Sequence, residues 1–483
     1  MFMLRDAFDW LDRGVLLGTG AEPVARVSTD TRTVARGDLF VALKGDRFDA
    51  HDFVGQALAA GAAAIVVERW SAQCRPPALL VPDARRALGL IAAGWRARFP
   101  LPLIAVTGSN GKTTVRAMIA AILAEHVGAA HAFTTRGNLN NDVGVPLTLL
   151  AISDAHRLGV VELGMNHPGE IGWLAGLVRP KVALVNNAQR EHQEFMAGAE
   201  ATAHENGAVI AALGEDGIAV FPGDEPHAPI WRRLAGARRT IEFGLRGSGS
   251  GTTTPVAAPA LAVQAAADAQ PDGFVATIDG RPIALRLAIA GRHNVRNALA
   301  AAACAHALGV PAETIARGLA AFVPVAGRMR RLAAAGSFTL IDDSYNANPD
   351  SVRAAIDVLA ELPGPRLLLL GDMGEVGAQG PEFHREVGGY ARERGIERLV
   401  AAGDLMREAV AAFGPGGEHV ASVDALAAAA PALAAGQASV LVKGSRFMRM
   451  ERVCAALAAP AAAAAPAAAT ATATAAARPE GVH

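Results

Sequence analysis

Short apolar runs recur along the chain, each followed by a cluster of glycine, serine, asparagine or charged residues. They are Asp38–Leu43, Ala64–Val67, Ala78–Val81, Leu103–Val106, His156–Leu163, Lys181–Asn186, Phe338–Ile341, Arg366–Leu370, Arg398–Ala401 and Ser439–Val442. Few of them alternate polar with apolar, so they predict strands covered on both faces, as parallel strands are. Helix-compatible stretches lie between: about 84–98, 113–124, 291–307, and segments following Pro168, Gly198, Pro349, Pro381 and Ser445. This alternation predicts an α/β protein with parallel sheets. Residues 246–272, rich in Gly, Ser, Thr, Ala and Pro, predict a surface loop leading to a hairpin at Asp279-Gly280.

The runs fall into three modules, 1–88, 89–326 and 327–455, the last a second doubly wound unit. From about Ala456 the chain turns into an Ala/Pro/Thr tail, 456–483, whose methyl groups bury too little area to offset ordering. Removal of Ala459 to His483 is expected to leave activity and stability nearly unchanged.

Composition narrows the function. Net charge is −1, so no basic field argues for nucleic acid. Three widely separated cysteines give neither a disulfide framework nor metal-ligand spacing. Arg5, Asp6 and Asp9 in the first ten residues do not fit a secretory leader, and no apolar run has the bulk of a membrane span. A cytoplasmic monomer without membrane insertion is expected.

The chemistry centres on Thr107-Gly108-Ser109-Asn110-Gly111-Lys112-Thr113-Thr114, between a strand and a helix. Such a turn gathers unpaired N–H groups at the positive end of a helix dipole, and its glycines let the backbone approach an anion. Lys112 can reach a β/γ-phosphate, and the Thr113 hydroxyl can ligate Mg²⁺. The glycine spacing is shorter than in the general phosphate loop, since Val106 stands where that pattern has glycine. In open α/β sheets ligands bind beyond the carboxyl ends of strands. There the sequence places Glu162, a candidate Mg²⁺ ligand, and His192 after the next strand. Asn138, Asn140 and Asn141, among helix-breaking glycines, form a candidate recognition loop. Asp343, Ser344, Tyr345, Asn346 and Asn348 follow one strand of the third module, and Lys443 and Ser445 follow another, so two domains are expected to close on a cleft. In the first module Ser28, Asp30, Arg32 and Lys44 suit a phosphate-bearing ligand, or equally capped turns with solvated charges.

Together these stretches resemble the Mur ligase family of peptidoglycan synthesis, over about Ser28 to Glu451. T-G-S-N-G-K-T-T alone is shared with folylpolyglutamate synthase. Gly137-Asn-Leu-Asn-Asn-Asp-Val-Gly-Val-Pro146, Asp343-Ser-Tyr-Asn-Ala-Asn-Pro349 and Gly371-Asp-Met-Gly-Glu375 carry the closer resemblance, to the members that add D-alanyl-D-alanine. The resemblance implies a UDP-binding N-terminal domain, a central ATP-binding domain and a Rossmann-like C-terminal ligase domain. It implies that ATP and Mg²⁺ activate the carboxylate of a UDP-N-acetylmuramoyl-tripeptide as an acyl phosphate, which the amine of D-Ala-D-Ala attacks. Residue by residue, Lys112, Thr113, Glu162 and His192 match the phosphate and metal site, and Asn294 and Asn297 match a nucleotide-contacting motif. Arg328 and Asp343 match groups that reach the nucleotide from the C-terminal domain. Ser28, Asp30, Arg32 and Lys44, with the asparagine loop, fall on the UDP-substrate side, and Ser344, Tyr345, Asn346, Asn348, Lys443 and Ser445 on the D-Ala-D-Ala side. Ala50 replaces the glycine of an Asp-Gly-His pattern.

One departure stands out. Family members carry a lysine, carbamylated by CO₂, where this chain has Asn206, and no lysine lies between Lys181 and Lys443. An amide cannot form a carbamate. Glu194, or less favourably Glu205, is the candidate to supply the missing charge beside His192. The alternatives to a Mur ligase are folylpolyglutamate synthase and a nucleotide-dependent switch without bond-forming activity. The long segment before the phosphate loop argues against the first.

Overall fold

The protein, described by a computed structural model over residues 1–45, 48–190, 198–247 and 261–459, forms a strand at each expected run and adds others, among them Arg26–Ser28, Ala132–Thr134, Ile218–Pro222 and Arg239–Arg246. Asp38–Val41, Ala64–Val67 and Leu103–Thr107 are buried at every position, as strands between two helical layers must be.

The first sheet has five strands in the order Val15–Leu17, Ala78–Leu80, Ala64–Val67, Asp38–Val41, Arg26–Ser28. All neighbours are parallel except the first pair. The helix Ala84–Arg96 then leads toward the central sheet, its start capped by the Asp83 carboxylate accepting from Arg86 N–H at 2.8 Å.

The central sheet has nine strands, in the order Arg281–Leu285, Phe274–Ile278, Val263–Ala266, Arg239–Arg246, Ile218–Pro222, Val182–Val185, Leu103–Thr107, Leu158–Glu162, Ala132–Thr134. Seven of these run parallel, and the last two in sequence form an antiparallel hairpin. The hairpin turns at Asp279 (φ 47°) and Gly280 (φ 79°), the positive dihedrals that a tight two-residue turn requires. Beneath the sheet lies the alanine-rich helix Arg292–Ala307, with twelve buried residues. Small methyl side chains let it pack closely on the strands and on helix Lys112–Val127.

The third sheet orders Arg330–Leu332, Thr339–Asp343, Ser439–Lys443, Arg366–Gly371, Arg398–Ala402 and Gly417–Val420, all parallel save the first. The modules are not insulated from one another. One apolar cluster runs from Leu39 and Leu79 through Trp95 to Val161 and Ala183. Another runs from Val106 and Ile119 through Val295 and Val358 to Leu368 and Leu441.

Three expectations need correction. Within 246–272, Val263–Ala266 is a sheet strand, with Val263 and Ala265 turned inward; alanine-rich composition hid a genuine alternation, and residues 248–260 lie outside the described residues. After Ser445 the chain makes a 3₁₀ turn, Arg446–Met448, before the helix Glu451–Leu457, because Met450 must first reach the core. That helix and the next two residues remain ordered beyond Ala456. Leu457 is buried, and Ala459 N–H donates to Ala333 O at 2.8 Å. Residues 460–483 lie outside the described residues. Among the described residues no helix is long and apolar enough to cross a membrane.

Candidate active site

The strand Leu103–Thr107 delivers the chain to Gly108 (φ 134°) and Gly111 (φ 81°), conformations that side chains resist. Space forbids them too. A Cβ on Gly108 would meet Asn187 N at 3.0 Å, and one on Gly111 would meet Asn297 Oδ1 at 2.6 Å. The loop is thus pinned between the next strand's end and the buried helix. Asn110 N–H donates to Asn187 Oδ1 at 2.8 Å, and Asn186 Nδ2 donates to Asn110 O at 2.8 Å and to Asn297 Oδ1 at 3.0 Å. Lys112 Nζ folds over the loop and donates to the carbonyls of Gly108 (2.6 Å) and Ser109 (3.2 Å).

Glu162 ends the neighbouring strand and is 1% exposed. Its Oε1 accepts from Thr113 Oγ1 at 3.0 Å and Asn140 Nδ2 at 2.9 Å, and its Oε2 from Arg116 Nε at 3.1 Å. Arg116, itself buried, also donates to Thr135 O at 2.8 Å and balances the carboxylate's charge. The sequence reading missed Arg116, although its position one helical turn beyond Lys112 on the first helix face could have flagged it.

From the third module, Lys443 Nζ lies 2.5 Å from Asp343 Oδ2 and 2.9 Å from Asn346 O. Arg328 stacks on Tyr345 at 4.0 Å and reaches Thr113 Oγ1 at 3.5 Å. Asn348 Nδ2 donates to Asn110 Oδ1 at 2.9 Å, joining the two domains at the loop itself. Beside it, Arg190 clamps Asp350 (2.6 Å) and Glu386 (2.7 Å), and Arg353 shares Glu386 at 2.9 Å. Hydrogen bonding to Glu386 and Asp350 pushes the Arg190 guanidinium further toward its charged form, and Arg190 in turn holds Glu386 below the usual carboxylate range.

These groups enclose one cavity of about 450 Å³. Ser109, Asn110, Gly111, Lys112, Thr113, Thr114, Asn138, Asn140, Asn141, Glu162, Asn294, Asn297, Arg328, Asp343, Tyr345, Asn346, Asn348 and Lys443 all line it. Eight of the expected residues that the structure describes do not. Thr107 and Gly108 frame the loop from behind, and Ser344 and Ser445 turn inward, bonding Asp342 Oδ1 and Asp372 O at 2.6 Å each. The remaining four, Ser28, Asp30, Arg32 and Lys44, belong to the first module. Asp30 and Arg32 pair with each other at 2.6 Å, which holds the Asp30 carboxyl down at about 2. Lys44 borders a separate recess with Glu68, Asp83 and Arg85. Arg85 links the two regions, pairing with Asp142 at 2.9 Å and donating to Lys44 O at 3.3 Å. His192 and Glu194 lie outside the described residues. Glu205 is otherwise engaged: it accepts from Gly169 N (2.9 Å) and Ile171 N (3.0 Å), capping the helix Glu170–Val178. Asn206 is 1% exposed, and its Oδ1 accepts from Thr107 Oγ1 at 2.7 Å.

Three family descriptions match the chain: Mur ligase family, catalytic domain over 23–96; Mur ligase middle domain over 106–305; and Mur ligase, glutamate ligase domain over 327–446. The UDP-N-acetylmuramoyl-tripeptide–D-alanyl-D-alanine ligase of Escherichia coli K12 is 41% identical over 89% of this chain and 93% of its own length. Among solved structures, MurF from Acinetobacter baumannii superposes with a TM-score of 0.82 at 34% identity, covering 89% of this chain and 93% of that one. MurF from Thermotoga maritima, solved in complex with ADP, superposes at 0.77 with 26% identity over 89% and 96%. The matched segments reach each of the three large sheets, and the chain belongs to the Mur ligase family.

Proposed function

We propose that this protein is an ATP-dependent amide ligase that joins D-alanyl-D-alanine to UDP-N-acetylmuramoyl-tripeptide. The observation that carries the reading is the single cavity in which the phosphate loop, the Thr113–Glu162 pair, the asparagine loop and the Asp343–Lys443 pair of the second domain converge.

A carboxylate does not condense with an amine in water until its oxygen becomes a leaving group. The tripeptide's terminal carboxylate oxygen attacks the γ-phosphorus of ATP, the bond to the β-phosphate oxygen breaks, and ADP leaves an acyl phosphate. The neutral amine of the dipeptide then attacks the carbonyl carbon, and phosphate departs with the former carboxylate oxygen. Carboxylate and triphosphate are both anionic, so the site's work is to hold them together. Lys112 and the loop N–H groups serve the phosphates, and Arg328 and Lys443 add positive charge from the closing domain. Asn138, Asn140 and Asn141 sit nearer the reacting carboxylate than the UDP end. Ser28, Asp30, Arg32 and Lys44, on the far side of Arg85, are the groups for the nucleotide-sugar.

The donor set suits magnesium. A hydroxyl and a carboxylate, 3.0 Å apart beside the phosphate position, are hard oxygens, and a site of few protein ligands completed by phosphate and water is what Mg²⁺ accepts. Thr113 and Glu162 would hold it, with His192 as the further candidate. The ion supplies neutralisation of charge on the transferring phosphoryl group.

The test is ADP release by the full chain with each substrate omitted in turn. Release must require both the UDP-linked tripeptide and D-Ala-D-Ala. Turnover independent of the dipeptide would overturn the reading.

A further inference from the structure

The position of the phosphate loop in the strand order says where the rest of a bound nucleotide must go. Glu162 lies on one neighbour of the loop strand, and Asn186-Asn187 end the other neighbour. With the γ-phosphate drawn toward Thr113 and Glu162, the nucleotide runs the opposite way along the carboxyl edge. It passes Asn186 and Asn187 and arrives at the end of the next strand, Ile218–Pro222. Two strand spacings are roughly 10 Å, about the reach from phosphate to base. What stands there, lining the same cavity, is Glu225.

Building on the nucleotide reading above, we propose that Glu225 reads the nucleobase, presenting a paired donor and acceptor to the edge of adenine. Its surroundings prepare it for this. Among the described residues the charged groups facing it are Arg296 and Asp224. Arg296 is already taken by Asp224, at 2.7 and 2.8 Å, and stands 3.8 Å from Glu225. The remaining contact is Ala188 N–H donating to Oε2 at 3.3 Å, so that oxygen accepts. Burial without a full counter-charge raises the Glu225 carboxyl to about 7. A protonated carboxyl offers one donor and one acceptor side by side. Adenine presents an amino donor next to a ring-nitrogen acceptor, which matches that pair. An ionised carboxylate offers acceptors only and matches the two adjacent donors of guanine instead. The same side chain therefore favours adenine when neutral and loses that preference when charged.

The experiment measures kcat/KM for ATP and GTP between pH 6 and 8.5, with both other substrates saturating. In the unmutated chain the ATP-to-GTP ratio falls by about tenfold as pH rises, the discrimination of one paired contact. In Glu225→Gln, whose amide keeps donor and acceptor at every pH, the ratio no longer varies. In Glu225→Ala the loss appears in KM for ATP rather than in kcat. A ratio independent of pH in the parent, or an alanine variant that discriminates as the parent does, overturns the proposal. Direct binding of ADP and GDP at the same two pH values separates this from failure of the ligase reading. If no triphosphate is turned over but ADP is preferred at pH 6 and not at 8.5, Glu225 stands and the ligase assignment falls.

Discussion

Lys443 Nζ and Asp343 Oδ2 meet at 2.5 Å at the carboxyl ends of two adjacent parallel strands, in register with one another. Their side chains are only 4% and 11% exposed. Removing one partner of such a pair leaves the other charge buried, which typically costs about 3–5 kcal/mol. Lys443→Met should therefore lower the thermal midpoint markedly. Adding Asp343→Asn should recover most of that loss without recovering turnover, since both groups face the reaction cavity. Denaturant unfolding alongside ADP release checks both halves, and an active double variant would show that the pair is structural only.

Lys112→Ala should leave the fold intact, because water can replace the ammonium at the Gly108 and Ser109 carbonyls it reaches. It should cost on the order of 10³-fold in turnover, the range for one charge that stabilises a transferring phosphoryl group. Near-normal turnover in a folded variant would remove the phosphate loop from the mechanism.

Arg190 ties the central domain to Asp350 and Glu386 of the C-terminal one. Charge-assisted bonds of this partly buried kind are worth about 1.5–3 kcal/mol. Arg190→Gln should lower kcat roughly tenfold and increase the radius of gyration in solution. Glu386 is held below its ordinary value, so its contribution is present at neutral pH and is lost as pH falls through that lowered value. Domain closure should accordingly loosen on acidification, and unchanged scattering in the variant would argue against a clasp.

Glu225 carries the opposite sign. Its carboxyl is raised from 4.5 to about 7, so the folded state holds a proton that the unfolded chain has released. Stability then falls as pH rises from 4.5 to 7 and is level above. At about 1.4 kcal/mol for each pH unit of the window, up to about 3 kcal/mol is at stake. Glu225→Gln should be more stable than its parent at pH 8, with that advantage gone near pH 4.5, as read from thermal midpoints. Equal advantage at both values would assign the effect to packing.

Asn206 is fully enclosed, and its amide oxygen is occupied by the Thr107 hydroxyl. No carbamate can form there, and Glu205 is committed to a helix start. Activity should be indifferent to removal of dissolved CO₂ and bicarbonate. Loss on degassing that bicarbonate restores would mean that another group carries a carbamate.

The phosphate loop, the strand-to-helix alternation and the hairpin at Asp279-Gly280 were legible in consecutive residues. Their causes are local: buried apolar runs, glycine dihedrals and turn chemistry act within a few positions. The strand Val263–Ala266 and the ordered Leu457–Ala459 were missed for the same reason, because alanine carries too little local signal to show which face it buries. Residue type alone also misplaced Ser344 and Ser445, whose hydroxyls serve neighbouring backbone and carboxylate atoms. The partners that complete the site were decided only by tertiary structure. Asn110 meets Asn348 across 238 residues, and Arg190 meets Glu386 across 196. Glu225 reaches the cavity only because its strand lies second from the loop strand. A hydrophobic pattern specifies that a strand is buried, but not which strand lies beside it. That order is set by the packing of all the helices at once, and it places the groups that surround the loop.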